Sequence, residues 1–238
     1  MTCDPFIHHA RRCWALPAAL AAALLAGCAS TPPTPDWKLG ALDAAERATQ
    51  AQLRGNARVA ALQWRRARAE VARTAAPALL ARVELLRCAV QAASLDFAPC
   101  TAFDALRQDA APAERAYADY LAGWSLTGAQ RALLPAAQQQ ALRDAAGMAD
   151  IEDALARLVA AGVAVRSGRA HDGTWALALE TASGQGWEGA LRGWLQADVL
   201  RARQQGDSAR AARLERRLQV LGGQGRPAAA PGVSQRAD

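Results

Sequence analysis

Lysine, histidine and aromatic residues are scarce in this 238-residue chain. Lys38 is the only lysine against 27 arginines, and the chain has three histidines and 12 aromatic residues. Alanine, in contrast, accounts for 63 residues. So many small apolar residues exclude a disordered chain, and the low number of aromatic and β-branched residues disfavours an all-β sandwich. Since alanine has the highest helix propensity, we expect an all-α protein.

The same scarcity removes the usual parts of several catalytic and cofactor sites. Because Lys38 is the sole lysine, the chain has neither a phosphate-binding loop ending in lysine nor a Ser-x-x-Lys motif. His171 is the one histidine beyond the first ten residues, and no cysteine pair has zinc spacing, so we expect no metal. None of the eight glutamates directly precedes serine, as the catalytic glutamate of lytic transglycosylases does. We expect no cofactor and no enzyme activity, with a hydrolase built on His171, Asp172 and Glu180 as the least favoured alternative.

The N-terminal segment has the charge and hydropathy pattern of a secretory signal peptide. Arg11 and Arg12 provide a positive start, and an apolar run follows from Trp14 to Ala26. That run is too short to span a bilayer as a mature helix. We therefore assign residues 1–27 to a signal peptide.

The residues at the end of this run, Leu25-Ala26-Gly27-Cys28, resemble the lipobox of bacterial lipoproteins. The resemblance implies that Cys28 becomes the first mature residue and carries the lipid, so that the membrane is bound through an N-terminal anchor. Ala29 stands where an inner-membrane retention signal usually has aspartate. This favours the outer membrane, with the body facing the periplasm, or the cell membrane in an organism with one membrane. We expect no nucleic-acid partner in that compartment.

Three further segments follow the signal peptide. Residues 28–40 contain the lipidated cysteine and a proline-rich tether, which favours an extended spacer. Residues 41–221 show helical periodicity and form the predicted folded domain. Residues 222–238 are rich in glycine, proline and alanine without periodicity, and we interpret them as a disordered tail.

Cys88 and Cys100 are the two cysteines left in the predicted folded domain. The periplasm is oxidising, so a disulfide between them would persist there. Cys88 lies near the end of one predicted helix and Cys100 at the start of the next, which favours a disulfide across the turn. The alternative is two small buried thiols.

Glycines and prolines divide the folded domain into segments of similar length. Helix pairs are predicted to begin near five positions spaced 35 to 38 residues apart in the sequence: Leu42, Pro77, Pro112, Ala149 and Trp187. A period in this range is typical of stacked helical hairpins.

The first of these pairs carries a family resemblance. Its small, turn, small, aromatic and small residues resemble a tetratricopeptide (TPR) repeat: Ala48, Ala51, Gly55, Asn56, Ala60, Trp64 and Ala67. The last pair repeats the turn with Gly206, Asp207 and Ala211, whereas the middle pairs match only in length. The resemblance implies a TPR-like α-solenoid of about five hairpins, and an ordinary helical bundle is the alternative.

One segment, residues 163–179, permits a second interpretation. Its apolar residues alternate on both sides of Asp172-Gly173, a dipeptide typical of β-hairpins. The high alanine content and the flanking helices favour helix instead. The sequence leaves a short β-hairpin here as the alternative.

Basic residues concentrate in two stripes, within a chain of net charge +6. The first runs from Arg54 to Arg73 and the second from Arg201 to Arg217. They fit an acidic partner, peptidoglycan or anionic lipid, or a solvated surface. We predict a non-catalytic scaffold that binds another envelope protein or peptide, with peptidoglycan or anionic-lipid binding as the alternative. Trp64, Arg65 and Arg68 are the candidate partner-binding residues, although core packing is the simpler role for most tryptophans, Trp124 among them.

Overall fold

The computed structural model describes residues 33–144 and 146–223, which form helices and connecting turns without any β-strand. The predicted all-α class is confirmed. The signal peptide, the lipidation residue Cys28 and the tail from residue 224 onward lie outside the described residues. Eleven α-helices follow one another along the described part of the chain: α1 (Asp36–Leu53), α2 (Ala57–Ala72), α3 (Pro77–Ala93), α4 (Thr101–Asp104), α5 (Pro112–Leu121), α6 (Gly128–Ala132), α7 (Ala136–Arg143), α8 (Ala154–Arg166), α9 (Asp172–Gly184), α10 (Glu188–Gln204) and α11 (Ser208–Gly223).

The helix starts follow local signals in the sequence. Pro77 and Pro112 occupy the first turns of α3 and α5, where a missing backbone N–H costs nothing. Helix α1 begins at Asp36, inside the segment 28–40 that the sequence assigns to the tether. Helix α8 begins at Ala154, because the Asp153 carboxylate caps it by accepting a hydrogen bond from the Ala156 amide at 2.6 Å.

The β-hairpin alternative for residues 163–179 is wrong, because α8 and α9 occupy this segment. Asp172-Gly173 forms the first turn of α9 rather than the tip of a hairpin. The turn is fixed by His171, whose Nδ1 accepts a hydrogen bond from the Gly173 amide at 3.1 Å. The Thr174 hydroxyl accepts one from the His171 amide at 3.3 Å, which completes a capping box. Helix propensity therefore outweighs the period-two pattern here.

Helix α3 occupies the centre of the described helices, where it contacts α1, α2, α4, α5 and α8. Its approach to α8 depends on Gly162, at which a Cβ atom would overlap the carbonyl oxygen of Ala92. The fully buried Trp194 of α10 donates a hydrogen bond from Nε1 to the Ala93 carbonyl at 2.9 Å. Helices α8 and α10 therefore both pack against the C-terminal end of α3.

The first helical hairpin, formed by α1 and α2, contacts the last one, formed by α10 and α11. The contact is between α1 and α10. A Cβ atom added to Gly189 would lie 2.6 Å from the Cα atom of Gly55, so only glycine fits at this approach. Trp187 donates a hydrogen bond from Nε1 to the Gln50 side chain at 3.2 Å. In an open solenoid each repeat contacts only its neighbours, whereas here elements about 140 residues apart in sequence meet.

The cysteine pairing predicted from the sequence is confirmed. The Sγ atoms of Cys88 and Cys100 lie at bonding distance, with their Cα atoms 5.9 Å apart. Cys88 belongs to α3, and Cys100 precedes α4 directly. The bond therefore fastens the loop between these two helices against the central helix.

Candidate partner-binding cleft

A surface cleft of about 820 Å³ lies between α9 and α11. Both helices pack on α10, which forms the bottom of the cleft. Leu179 on α9 and Leu214 on α11 provide an apolar base, together with Ala176. An apolar base between two helices is the geometry that receives an amphipathic segment of another protein.

The base of the cleft also contains a buried carboxylate with two arginine partners. Asp198 is fully buried, and its carboxylate accepts hydrogen bonds from Arg201 Nε at 2.9 Å and from Arg210 Nη2 at 3.0 Å. Arg201 also donates to Asp172, and this hydrogen bond lowers the pKa of the Asp172 carboxyl below its ordinary value. The network joins α9, α10 and α11, so it fixes the two walls of the cleft relative to its base.

The wall formed by α11 carries basic groups that the fold does not use. Arg210, Arg213 and Arg217 follow the i, i+3, i+7 spacing and so share one face of the helix. Arg210 is engaged by Asp198, whereas Arg213 and Arg217 are exposed and have no ion-pair partner among the described residues. The opposite wall carries the exposed Glu180. The α11 wall therefore presents two guanidinium groups that can pair with carboxylates of a ligand.

The three residues predicted from the sequence to bind a partner have different surroundings in the structure, although all of them belong to α2. Trp64 is only 4% exposed, and its Nε1 donates a hydrogen bond to the Gln52 side chain of α1 at 2.9 Å. Arg68 forms an ion pair with the buried Glu84 of α3. Arg65 alone is exposed and without a partner among the described residues. Trp64 therefore fills the space between α1 and α2 rather than facing solvent.

His171, Asp172 and Glu180 are not brought together. His171 caps α9, and Asp172 pairs with Arg201. Glu180 lies about 12 Å from Asp172 along the axis of α9, since each residue of an α-helix advances the chain by about 1.5 Å. No group of three or more histidine, cysteine, aspartate or glutamate residues is placed to hold a metal ion within the described residues. The arrangement around α9 thus gives His171 a structural role at the helix start.

Sequence reasoning found one wall of the cleft and missed the other. The second arginine stripe includes Arg213 and Arg217, which the charge pattern had indicated. Leu179 carries no signal, because the segment 163–179 that contains it could be interpreted as helix or as strand, and the sequence indicates Glu180 only as a member of the hydrolase alternative. Their position opposite α11 follows only from the packing of α9 and α11 on α10.

Comparison with known proteins gives no match to a family model, to a curated protein or to a solved structure. Within the described residues, no helix has both the length and the apolar character needed to cross a membrane.

Proposed function

We propose that this chain is a lipoprotein, anchored in the outer membrane through Cys28, that binds another envelope protein without catalysing a reaction. The lipobox-like residues at the end of the N-terminal apolar run support the anchor. The observation that carries the binding function is the cleft between α9 and α11, with its apolar base and two unpaired arginines. A tether to the membrane would raise the effective concentration of this cleft near a partner in the same membrane.

The proposed occupant is an amphipathic segment with carboxylates on one flank. Its apolar side would lie on Leu179 and Leu214, and its carboxylates would face Arg213 and Arg217. Arginine can form two parallel hydrogen bonds to a carboxylate, which makes such a contact both strong and specific in its geometry. The first and last hairpins act as TPR-like units in this proposal, supported by the turn glycines Gly55 and Gly206, both of which have positive φ.

Peptidoglycan or anionic lipid is the second candidate ligand, and the surface of α2 favours it. Arg58, Arg65 and Arg66 are exposed there, and none has an ion-pair partner among the described residues. Binding through such a surface would weaken steeply with salt, because exposed charges are screened within about 8 Å at physiological ionic strength.

Reversing the charge of the α11 wall tests the proposed function. We expect Arg213→Glu combined with Arg217→Glu to lower partner recovery about tenfold or more, since each charged hydrogen bond is worth about 1.5–3 kcal/mol. The measurement is crosslinking of the full-length protein in intact cells, followed by mass spectrometry of the envelope proteins that it captures. Cys28→Ala should also lower recovery, through loss of the anchor.

The matched control is Arg58→Glu with Arg65→Glu, which removes the same charge from two exposed positions with i, i+7 spacing on α2. Partner recovery should stay at the wild-type level in this variant. If the α2 variant loses the partner and the α11 variant keeps it, the cleft is not the binding site. Glycan or lipid adducts that disappear in the α2 variant would instead support the second candidate.

A further inference from the structure

Trp124 is the one strongly exposed tryptophan among the described residues. Its side chain is 64% exposed, whereas Trp64, Trp175, Trp187 and Trp194 are buried, so core packing, the role favoured from the sequence, is wrong for Trp124. The backbone places it: α5 ends at Leu121 and is followed by Gly123, which has a φ of 76°, and the Trp124 amide donates a hydrogen bond to the Asp119 carbonyl at 3.1 Å. This is a Schellman motif, which fixes the direction of the chain after the helix.

Helix α8 ends in the same motif and places an arginine at the equivalent position. Gly168 has a φ of 69°, and the Arg169 amide donates a hydrogen bond to the Ala164 carbonyl at 2.8 Å. Since α5 and α8 pack against each other, the residues that follow their ends line one pocket. Trp124 and Arg169 therefore line the same pocket, and each is placed there by the Schellman motif at the end of its helix.

The pocket has a volume of about 250 Å³, and all its charged lining residues are basic. Arg131 and Arg169 line it, and neither has an ion-pair partner among the described residues. The Ser167 hydroxyl accepts a hydrogen bond from Arg169 Nε at 2.9 Å and so holds this guanidinium in place. Two unpaired guanidinium groups without a nearby lining carboxylate make this a site for an anion.

Arg107, which lies beside the Trp124 ring, already has a carboxylate partner outside the pocket. The guanidinium carbon of Arg107 lies 6.0 Å from the centre of the Trp124 ring, but Arg107 forms an ion pair with Asp119. Tyr120 also lines the pocket, and its hydroxyl donates a hydrogen bond to Gln138 at 2.8 Å. Arg107 therefore holds the indole, while the free polar groups of the pocket belong to Arg131, Arg169 and Ser125.

We propose that this pocket binds a small carboxylate carried on a ring, of the sugar-acid class. Arg131 and Arg169 hold the carboxylate, and the exposed indole of Trp124 packs against the ring. The volume is below the range of sites for drug-sized ligands, so a single sugar unit matches it. This site lies on other residues than the cleft between α9 and α11 and does not depend on the function proposed for that cleft.

The test follows the indole N–H signal of Trp124 in the full-length, ¹⁵N-labelled protein, with Trp124→Phe to assign that signal. Glucuronate should shift it saturably. Glucose, which lacks the carboxylate, and inorganic phosphate, which lacks the ring, should each bind at least tenfold more weakly. Arg131→Gln and Arg169→Gln should each weaken glucuronate binding at least tenfold, and Arg216→Gln, at an exposed position of α11 that lines neither the cleft nor this pocket, should leave it unchanged.

The remaining indole signals report whether each variant keeps its fold, and the exposed Arg131 provides a test even if Arg169→Gln alters the end of α8. The proposal is overturned if glucuronate leaves the Trp124 signal unshifted. It is also overturned if phosphate or glucose binds as tightly as glucuronate, or if Arg131→Gln has no effect on glucuronate binding.

Discussion

Replacement of Trp194 by alanine is expected to lower the free energy of unfolding by about 3–5 kcal/mol, as for other fully buried tryptophans. Trp194 has no exposed surface, and its ring lies edge-on to that of Trp175 with 5.4 Å between their centres. The substitution would leave a cavity between α10 and α3 and remove the hydrogen-bond donor from the Ala93 carbonyl. Urea unfolding, followed with the disulfide intact, measures the change.

Trp194→Phe is the matched control for this prediction. It keeps most of the buried ring but leaves the Ala93 carbonyl without its partner, so we expect a smaller loss of about 1–3 kcal/mol. A loss below about 1 kcal/mol in the alanine variant would contradict the packing of α10 on the end of α3, because cavities of this size cost several times more.

The second large effect is expected from Asp198→Ala, which should lower the free energy of unfolding by about 3–5 kcal/mol. The carboxylate is fully buried, and its removal leaves Arg201 and Arg210 without this partner at the base of the cleft. Both arginines keep Asp172 as a partner, but that carboxylate is exposed to solvent and screened, so it replaces the buried partner only in part. Breaking one side of a buried pair destabilises strongly for this reason. Urea unfolding at neutral pH gives the value.

Asp198→Asn retains the shape and one acceptor oxygen, so it separates the charge from the packing. We expect its stability to lie between those of the wild type and the alanine variant, because a neutral acceptor bonds guanidinium more weakly than a carboxylate. Equal stability of all three proteins would show that the Asp198 network does not fix the cleft. In the alanine variant Arg210 keeps only the exposed Asp172 as a partner, which alters the charge that a ligand meets in the cleft.

Local features of this fold could be predicted from the sequence, because local residues determine them. Pro77 and Pro112 mark helix starts, and the disulfide joins residues separated by a single turn. The contact between α1 and α10 could not be predicted in this way. It depends on Gly55 meeting Gly189, and neither glycine differs in sequence from one that merely ends a helix.

The candidate sites were predictable only in part for the same reason. A cluster of arginines is visible in the sequence, but its free charge depends on which carboxylates the fold brings near. Arg201 and Arg210 are engaged by acidic residues of α9 and α10, whereas Arg213 and Arg217 are not. Trp124 looked like the other tryptophans, since its exposure arises from the way α5 ends and not from its neighbours in sequence.

A photo-crosslinking side chain placed inside the cleft tests the central claim most directly. Ser183 is an exposed residue of α9 that lines the cleft, and Gln196 is an exposed residue of α10 that does not. The account predicts that a crosslinker at position 183 forms an adduct with one envelope protein in intact cells, and that Arg213→Glu with Arg217→Glu abolishes the adduct. It also predicts no such adduct from position 196. Adducts of equal yield from both positions, or an adduct at position 183 that survives the double substitution, would contradict it.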